Sequence, residues 1–223
     1  MNAVRRIVTI ADELQARRCA QGRVVIIDDD DEILQALGTL IAVEGYAVDA
    51  YASAQAYLDS LAKDTPQFPG PVCLLCDVNM PALSGLDLQR QLVSRPETPL
   101  LLMSGMSGAS EAAQAFRAGA LDFLVKPLSA DVLLDAIAKA LRVSDLRQRE
   151  NYLVADLSAR ASTLSDRERE ALQLVAKGMT NQAIAEELQI ALRTVKLHRQ
   201  RGMEKLGVST TADLVRIMDK LNS

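Results

Sequence analysis

Aspartate, serine and lysine stand where short apolar runs stop, and their spacing suggests phosphoryl chemistry. The run VVII (24–27) stops at Asp28, Asp29, Asp30 and Asp31; VCLLC (72–76) stops at Asp77; PLLLM (99–103) stops at Ser104; and DFLV (122–125) stops at Lys126, with Pro127 next. If these stops meet at one edge, the carboxylates of Asp28, Asp29 and Asp77 repel one another until a cation binds between them. A hard, oxygen-loving ion suits that donor set, which predicts Mg²⁺. A lysine and a hydroxyl beside such an ion stabilise a phosphoryl group. An aspartate carboxylate there can be the nucleophile that forms an aspartyl-phosphate.

The elements that must bring these residues together can be read from the periodicity. Continuous apolar runs of this length read as strands buried on both faces. After the first, Ile33, Leu34, Leu37, Leu40 and Ile41 keep the spacing of an amphipathic helix that Gly45 stops. The strand-then-helix unit recurs: VDAYAS before SAQAYLDSL, VCLLCD before GLDLQRQLV, PLLLMS before SEAAQAFRAG, DFLV before ADVLLDAIAKAL. Five such units predict an α/β doubly wound, five-stranded parallel sheet with helices on both faces. Ligands in that architecture sit at the carboxyl ends of the strands.

Composition narrows the class. The chain has 223 residues, 49% apolar and 24% charged, with 3% aromatics and no Trp. That is globular composition with an aliphatic core, and the length suits two modest domains. No apolar run approaches the roughly 18 residues of a membrane span. The first residues, MNAVRRIVTIADELQARR, lack the apolar core of a secretory signal. Three Cys form no disulfide framework, which points to a reducing, cytoplasmic setting. Cys73 and Cys76 have redox-motif spacing, but on a strand they point to opposite faces and cannot bond. Residues 1–22 are expected to be an extension, either amphipathic or the product of a start placed too early.

Charge divides unevenly. From Arg160 onward there are eleven Lys/Arg against eight Asp/Glu, a net +3, while the rest of the chain carries −7. A basic back half suits nucleic acid. The stretch 143–159 is polar, without Pro or Gly, and reads as a solvated helical linker. Beyond it, Ser165-Asp166-Arg167-Glu168 is a capping box. Helices are expected over EREALQLVAKG, NQAIAEELQI capped by Thr180, RTVKLHRQRGMEKL stopped by Gly207, and TADLVRIMDKL. Two short helices joined by a tight turn, the second rich in Lys/Arg, predict a small all-α, four-helix domain with a helix-turn-helix. On that second helix Lys196 and Gln200 share one face, with Leu197 beside them, and Val195, Met203 and Leu206 face the core.

These motifs carry a resemblance. IIDDD, CDVNMPALSGLDL, LLLMSG and AGALDFLVKP resemble the flavodoxin-like receiver domain of response regulators. LSDREREALQLVAKGMTNQAIAEELQIALRTVKLHRQRGMEKLGV is similar to the LuxR-type helix-turn-helix, so the whole chain resembles the FixJ/NarL-type transcription regulators. The domains expected are 1–22 as extension, 23–142 as receiver, 143–159 as linker and 160–223 as DNA-binding domain. The resemblance implies that Asp77 is the phosphoacceptor, and that Mg²⁺ is held by Asp28, Asp29, Asp77 and the backbone carbonyl of Asn79. It makes Lys126 the partner of the phosphoryl group, Ser104 and Phe123 the switch pair, and Pro81 and Gly85 the residues that shape the following loop. It sets Lys196, Leu197 and Gln200 at base edges, and Thr180, Asn181, Thr194, His198, Arg199 and Arg201 at phosphates.

The function so implied is that of a phosphorylation-controlled transcription regulator rather than an enzyme. A sensor histidine kinase, promoter DNA, RNA polymerase and a second copy of the chain are its expected partners. Two alternatives remain at this level. The same build can act without phosphorylation. A haloacid-dehalogenase-like phosphatase also uses a strand-end Asp, but needs a second Asp two residues on, where Asn79 stands. Three departures from the LuxR-type pattern bear on stability. Ala191 replaces a capping residue, worth about 1 kcal/mol. Ala183 stands where Glu often completes a capping box. Gly202 replaces a larger residue, which predicts lost core volume and a helix-propensity cost of about 1 kcal/mol.

Overall fold

A computed structural model describes residues 22–62, 70–93, 95–105 and 109–221. The chain divides into two compact units, Met1–Gln148 and Arg149–Ser223. The expected extension 1–22 lies outside the described residues except for Gly22.

The apolar runs form the five strands they predict: β1 (Arg23–Ile27), β2 (Ala47–Tyr51), β3 (Val72–Asp77), β4 (Leu100–Ser104) and β5 (Asp122–Val125). All pair parallel in the order β2-β1-β3-β4-β5. The helices between them are α1 (Asp31–Val43), α2 (Ala54–Ala62), α3 (Gly85–Gln91), α4 (Ala109–Arg117) and α5 (Ala130–Ser162). Alternate strand residues feed two cores. One gathers Val24, Ile26, Cys73, Leu75, Leu101 and Met103 under Ile41 of α1 and Leu133 and Ile137 of α5. The other gathers Val25, Ile27, Leu74, Cys76, Leu100 and Leu102 under Tyr57 of α2, Leu88 of α3 and Ala115 of α4. Cys73 and Cys76 thus lie in different cores, both as free thiols. Burial pushes the Cys73 thiol up to about 12 and the Cys76 thiol higher still.

Helix α5 is longer than its apolar periodicity predicts. It runs to Ser162, and residues 143–159 are helical throughout. The reason in the first unit is polar rather than apolar. Buried Ser144 accepts from the amide of Val72 and donates to the carbonyl of Glu97, at 3.0 and 2.9 Å. Gln148 donates to the carbonyl of Gly70 at 3.1 Å.

The second unit holds α6 (Asp166–Ala176), α7 (Asn181–Glu187), α8 (Leu192–Leu206) and α9 (Thr211–Leu221). They enclose Leu172, Val175, Ile184, Val195, Leu206 and Leu214. Both halves of the Ser165–Glu168 capping box are formed. Helix α7 ends three residues before the expected Ile190, because Gln189 takes a left-handed φ of 54° and makes the tight turn. Gly207, at φ 69°, caps α8. The lost core volume expected at Gly202 is not found: Leu172 fills the space, and a Cβ on Gly202 would stand 2.7 Å from its Cδ1. Among the described residues no helix is long and apolar enough to cross a membrane.

Candidate phosphoacceptor site and DNA-reading helix

The strand order reverses between β1 and β3, and the crevice at such a point opens at the strands' carboxyl ends. Asp28 follows β1 and Asp77 ends β3, so the fold sets both there. They are 1% and 6% exposed. Lys126, just past β5, reaches across to both: its Nζ lies 2.8 Å from Asp28 Oδ2 and 2.6 Å from Asp77 Oδ1. Burial works against the ammonium's charge, but the hydrogen bonds to Asp28 and then Asp77 outweigh it and raise its pKa above the usual lysine value.

Backbone donors fix the carboxylates' remaining oxygens. The amide of Asp30 donates to Asp28 Oδ1 at 3.0 Å, and that of Asn79 to Asp77 Oδ2 at 2.7 Å. Gly85 lets α3 start directly over the site. Its amide donates to the carbonyl of Val78 at 3.0 Å, and a Cβ there would collide with the carbonyl oxygen of Asp77. Ser104 is fully buried, and its carbonyl accepts from the amide of Lys126 at 2.8 Å. Phe123 is half-buried against the core under α2, α3 and α4.

The expected convergence of three carboxylates holds for two. Asp29 lies exposed between the buried Asp28 and Asp30, the residue that caps α1. Its carboxylate faces water and has no hydrogen-bond or ionic partner among the described residues. Among those residues no group of three or more His, Cys, Asp or Glu side chains is assembled as a metal site. One participant escaped the sequence reading. Glu111, in the first turn of α4, accepts from the Ser104 hydroxyl at 3.4 Å. An acidic residue seven positions after the strand-end serine was the only signal.

In the second unit, α8 exposes Arg193, Lys196, Leu197, Gln200 and Arg201, and buries Val195 and Leu206. Thr194, His198 and Arg199 are half-buried. Thr180 caps α7 through its hydroxyl, accepting from the amide of Ala183 at 3.2 Å. Ala191 offers α8 no side-chain cap. Lys205 reaches from α8 to Glu168, 2.6 Å away, and to the carbonyl of Thr163 at 3.0 Å. The Lys205 hydrogen bond and the Ser165 amide lower Glu168 from 4.5 to about 2. The capping pattern showed Glu168 but not this partner, 37 residues away.

This fold and site define a class: a parallel-sheet receiver joined to a helical DNA-binding unit. The chain belongs to the two-component response regulators with a LuxR-type DNA-binding domain. The response regulator receiver domain matches residues 24–138, and the luxR family of bacterial regulatory proteins matches residues 162–218. The chain is 37% identical over 199 residues to the response regulator protein TmoT of Ectopseudomonas mendocina, covering 89% of this chain and 88% of that protein. It is 32% identical over 200 residues to the transcriptional regulatory protein FixJ of Bradyrhizobium diazoefficiens, covering 88% and 94%. Among solved structures, the response regulator StyR superposes with a TM-score of 0.79 at 34% identity, over 90% of this chain and all of that one.

Proposed function

We propose that Asp77 accepts a phosphoryl group from a histidine kinase and that this event controls promoter binding. The observation that carries the reading is Lys126 Nζ between the buried carboxylates of Asp28 and Asp77. An Asp77 oxygen attacks phosphorus, the P–O bond forms, the P–N bond to the kinase imidazole breaks, and the imidazole takes up a proton. Lys126 then moves its charge to the new dianion. Ser104 exchanges Glu111 for a phosphoryl oxygen, which opens space for Phe123 and alters the face of α4 and β5. That face joins a second copy, and paired recognition helices gain a fixed spacing.

Mg²⁺ fits the donor set. Two buried carboxylates share one ammonium, which leaves a net negative charge among hard oxygen donors. Asp28, Asp77 and the Asn79 carbonyl would hold the ion, with Asp29 joining them only by turning in from the solvent it faces, and the ion would neutralise the phosphoryl oxygens. Residues 23–142 with the turns to Gln148 form the receiver and 160–223 the DNA-binding domain. Lys196, Leu197 and Gln200 read base edges, and Thr180, Asn181, Thr194, His198 and Arg201 contact phosphates. The protein works in the cytoplasm with its kinase, DNA and RNA polymerase, and catalyses no turnover beyond slow loss of its own phosphoryl group.

Acetyl phosphate with Mg²⁺ should add one phosphoryl group, read by mass spectrometry. Asp77→Asn should abolish it. Labelling that survives this change would reject the assignment. Beryllofluoride should convert monomer to dimer in sedimentation; identical sedimentation of both forms would reject the dimer step.

A further inference from the structure

Arg199 was expected at a phosphate, but its guanidinium is engaged within the second unit. Nη1 donates to Asn181 Oδ1 at 3.2 Å and Nη2 donates to Thr211 Oγ1 at 3.0 Å. Asn181 is the first residue of α7 and Thr211 the first of α9. One side chain of the recognition helix therefore ties together the starts of the two helices beside it. Its partners are both neutral; among the described residues no carboxylate pairs with it.

The bond to Asn181 also has a direction. An amide oxygen that accepts from a guanidinium cannot exchange places with its own NH₂, because donor would then face donor. Among the described residues the Asn181 NH₂ has no partner. We propose that Arg199 is a positioning residue for DNA binding: it locks the Asn181 amide so that its NH₂ is presented to the phosphate backbone. The proposal rests on the reading of Asn181 as a phosphate contact. Arg199 suits the task because its planar fork reaches two oxygens in fixed directions, which a lysine cannot do.

The test is a cycle of Arg199→Lys and Asn181→Ala in the full chain. The probe is a random-sequence duplex at low salt, since phosphate contacts are independent of sequence. Arg199→Lys keeps the charge, so long-range attraction is unchanged. Asn181→Ala should weaken binding about three- to tenfold, the range for one lost hydrogen bond. Arg199→Lys should weaken the wild type by a similar factor and leave the Asn181→Ala background unchanged within about twofold. A purely structural role would weaken both backgrounds alike, and that result overturns the proposal. So does wild-type binding by Arg199→Lys, the signature of a simple charge contact. If Asn181→Ala itself binds like the wild type, the phosphate role of Asn181 falls and the proposal with it.

Discussion

Lys126 Nζ lies 2.6 Å from Asp77 Oδ1, and the ammonium occupies the place where the carboxylates' charge most needs a cation. Lys126→Met leaves Asp28 and Asp77 buried and uncompensated. The expected loss is about 3–5 kcal/mol, the cost of breaking a buried ion pair by removing one partner. Mg²⁺ then meets no competing ammonium. Thermal unfolding should show a lower melting temperature without the ion, and a larger Mg²⁺-induced rise than in the wild type. Equal rises in both proteins would mean that the Lys126 ammonium does not compete with the ion for these carboxylates.

Glu168 makes the second unit sensitive to acid in a defined window. Its folded-state value of about 2 lies below the ordinary 4.5, first through Lys205 and then through the Ser165 amide. A depressed carboxylate contributes stability that is complete above about 4.5 and is lost as pH falls towards 2. Lys205→Met removes the largest cause. The gap in melting temperature between wild type and Lys205→Met should therefore be full at neutral pH and close on descending through this window. A gap constant with pH would assign the Lys205 effect to packing.

Gly202 faces Leu172, whose side chain is fully buried. Replacing a helical glycine with alanine ordinarily gains about 1 kcal/mol. Here the added methyl meets Leu172 Cδ1 at 2.7 Å and Cγ at 3.0 Å. Overpacking costs about 1–3 kcal/mol, so Gly202→Ala should destabilise in chemical denaturation. In a Leu172→Ala background the same change should stabilise. Additive effects would show that the two positions do not compete for space.

Ala191 has the extended backbone of a capping residue, φ −65° and ψ 143°, with no oxygen on its side chain. Ala191→Ser supplies an acceptor for an amide in the first turn of α8. A gain of about 1 kcal/mol is expected in denaturant unfolding. No gain would mean that water already satisfies those amides.

What could be read from the sequence was local. The opposite faces of Cys73 and Cys76 followed from strand parity, and the capping box at Ser165 from a four-residue pattern. The strand ends placed Asp28, Asp77 and Lys126 at one edge because parallel strands share a direction. What escaped was set by side chains meeting across the fold. Nothing in the pattern says that Lys126 takes both carboxylates while Asp29 turns to water. Leu172 filling the space at Gly202, and Arg199 holding Asn181 and Thr211, depend on packing between helices. Helix α5 runs through the helical linker expected at 143–159, but the bonds of Ser144 and Gln148 to loop backbone were not legible, because hydrophobic periodicity does not register such bonds.

Gly85 carries a consequence for genetics. Any side chain at this position would be driven into the carbonyl oxygen of Asp77 and would meet Leu102 Cδ2 at 3.0 Å. The obstacle is backbone, so no choice of side chain relieves it. In a screen for alleles that no longer signal, every missense change at codon 85 should fall in one class with those at codon 77. Within that class, alleles at the two codons would differ in rescue. A suppressor acting downstream of the phosphorylation proposed for Asp77 would restore output to either, whereas a compensating change inside the protein has no backbone atom to remove for Gly85.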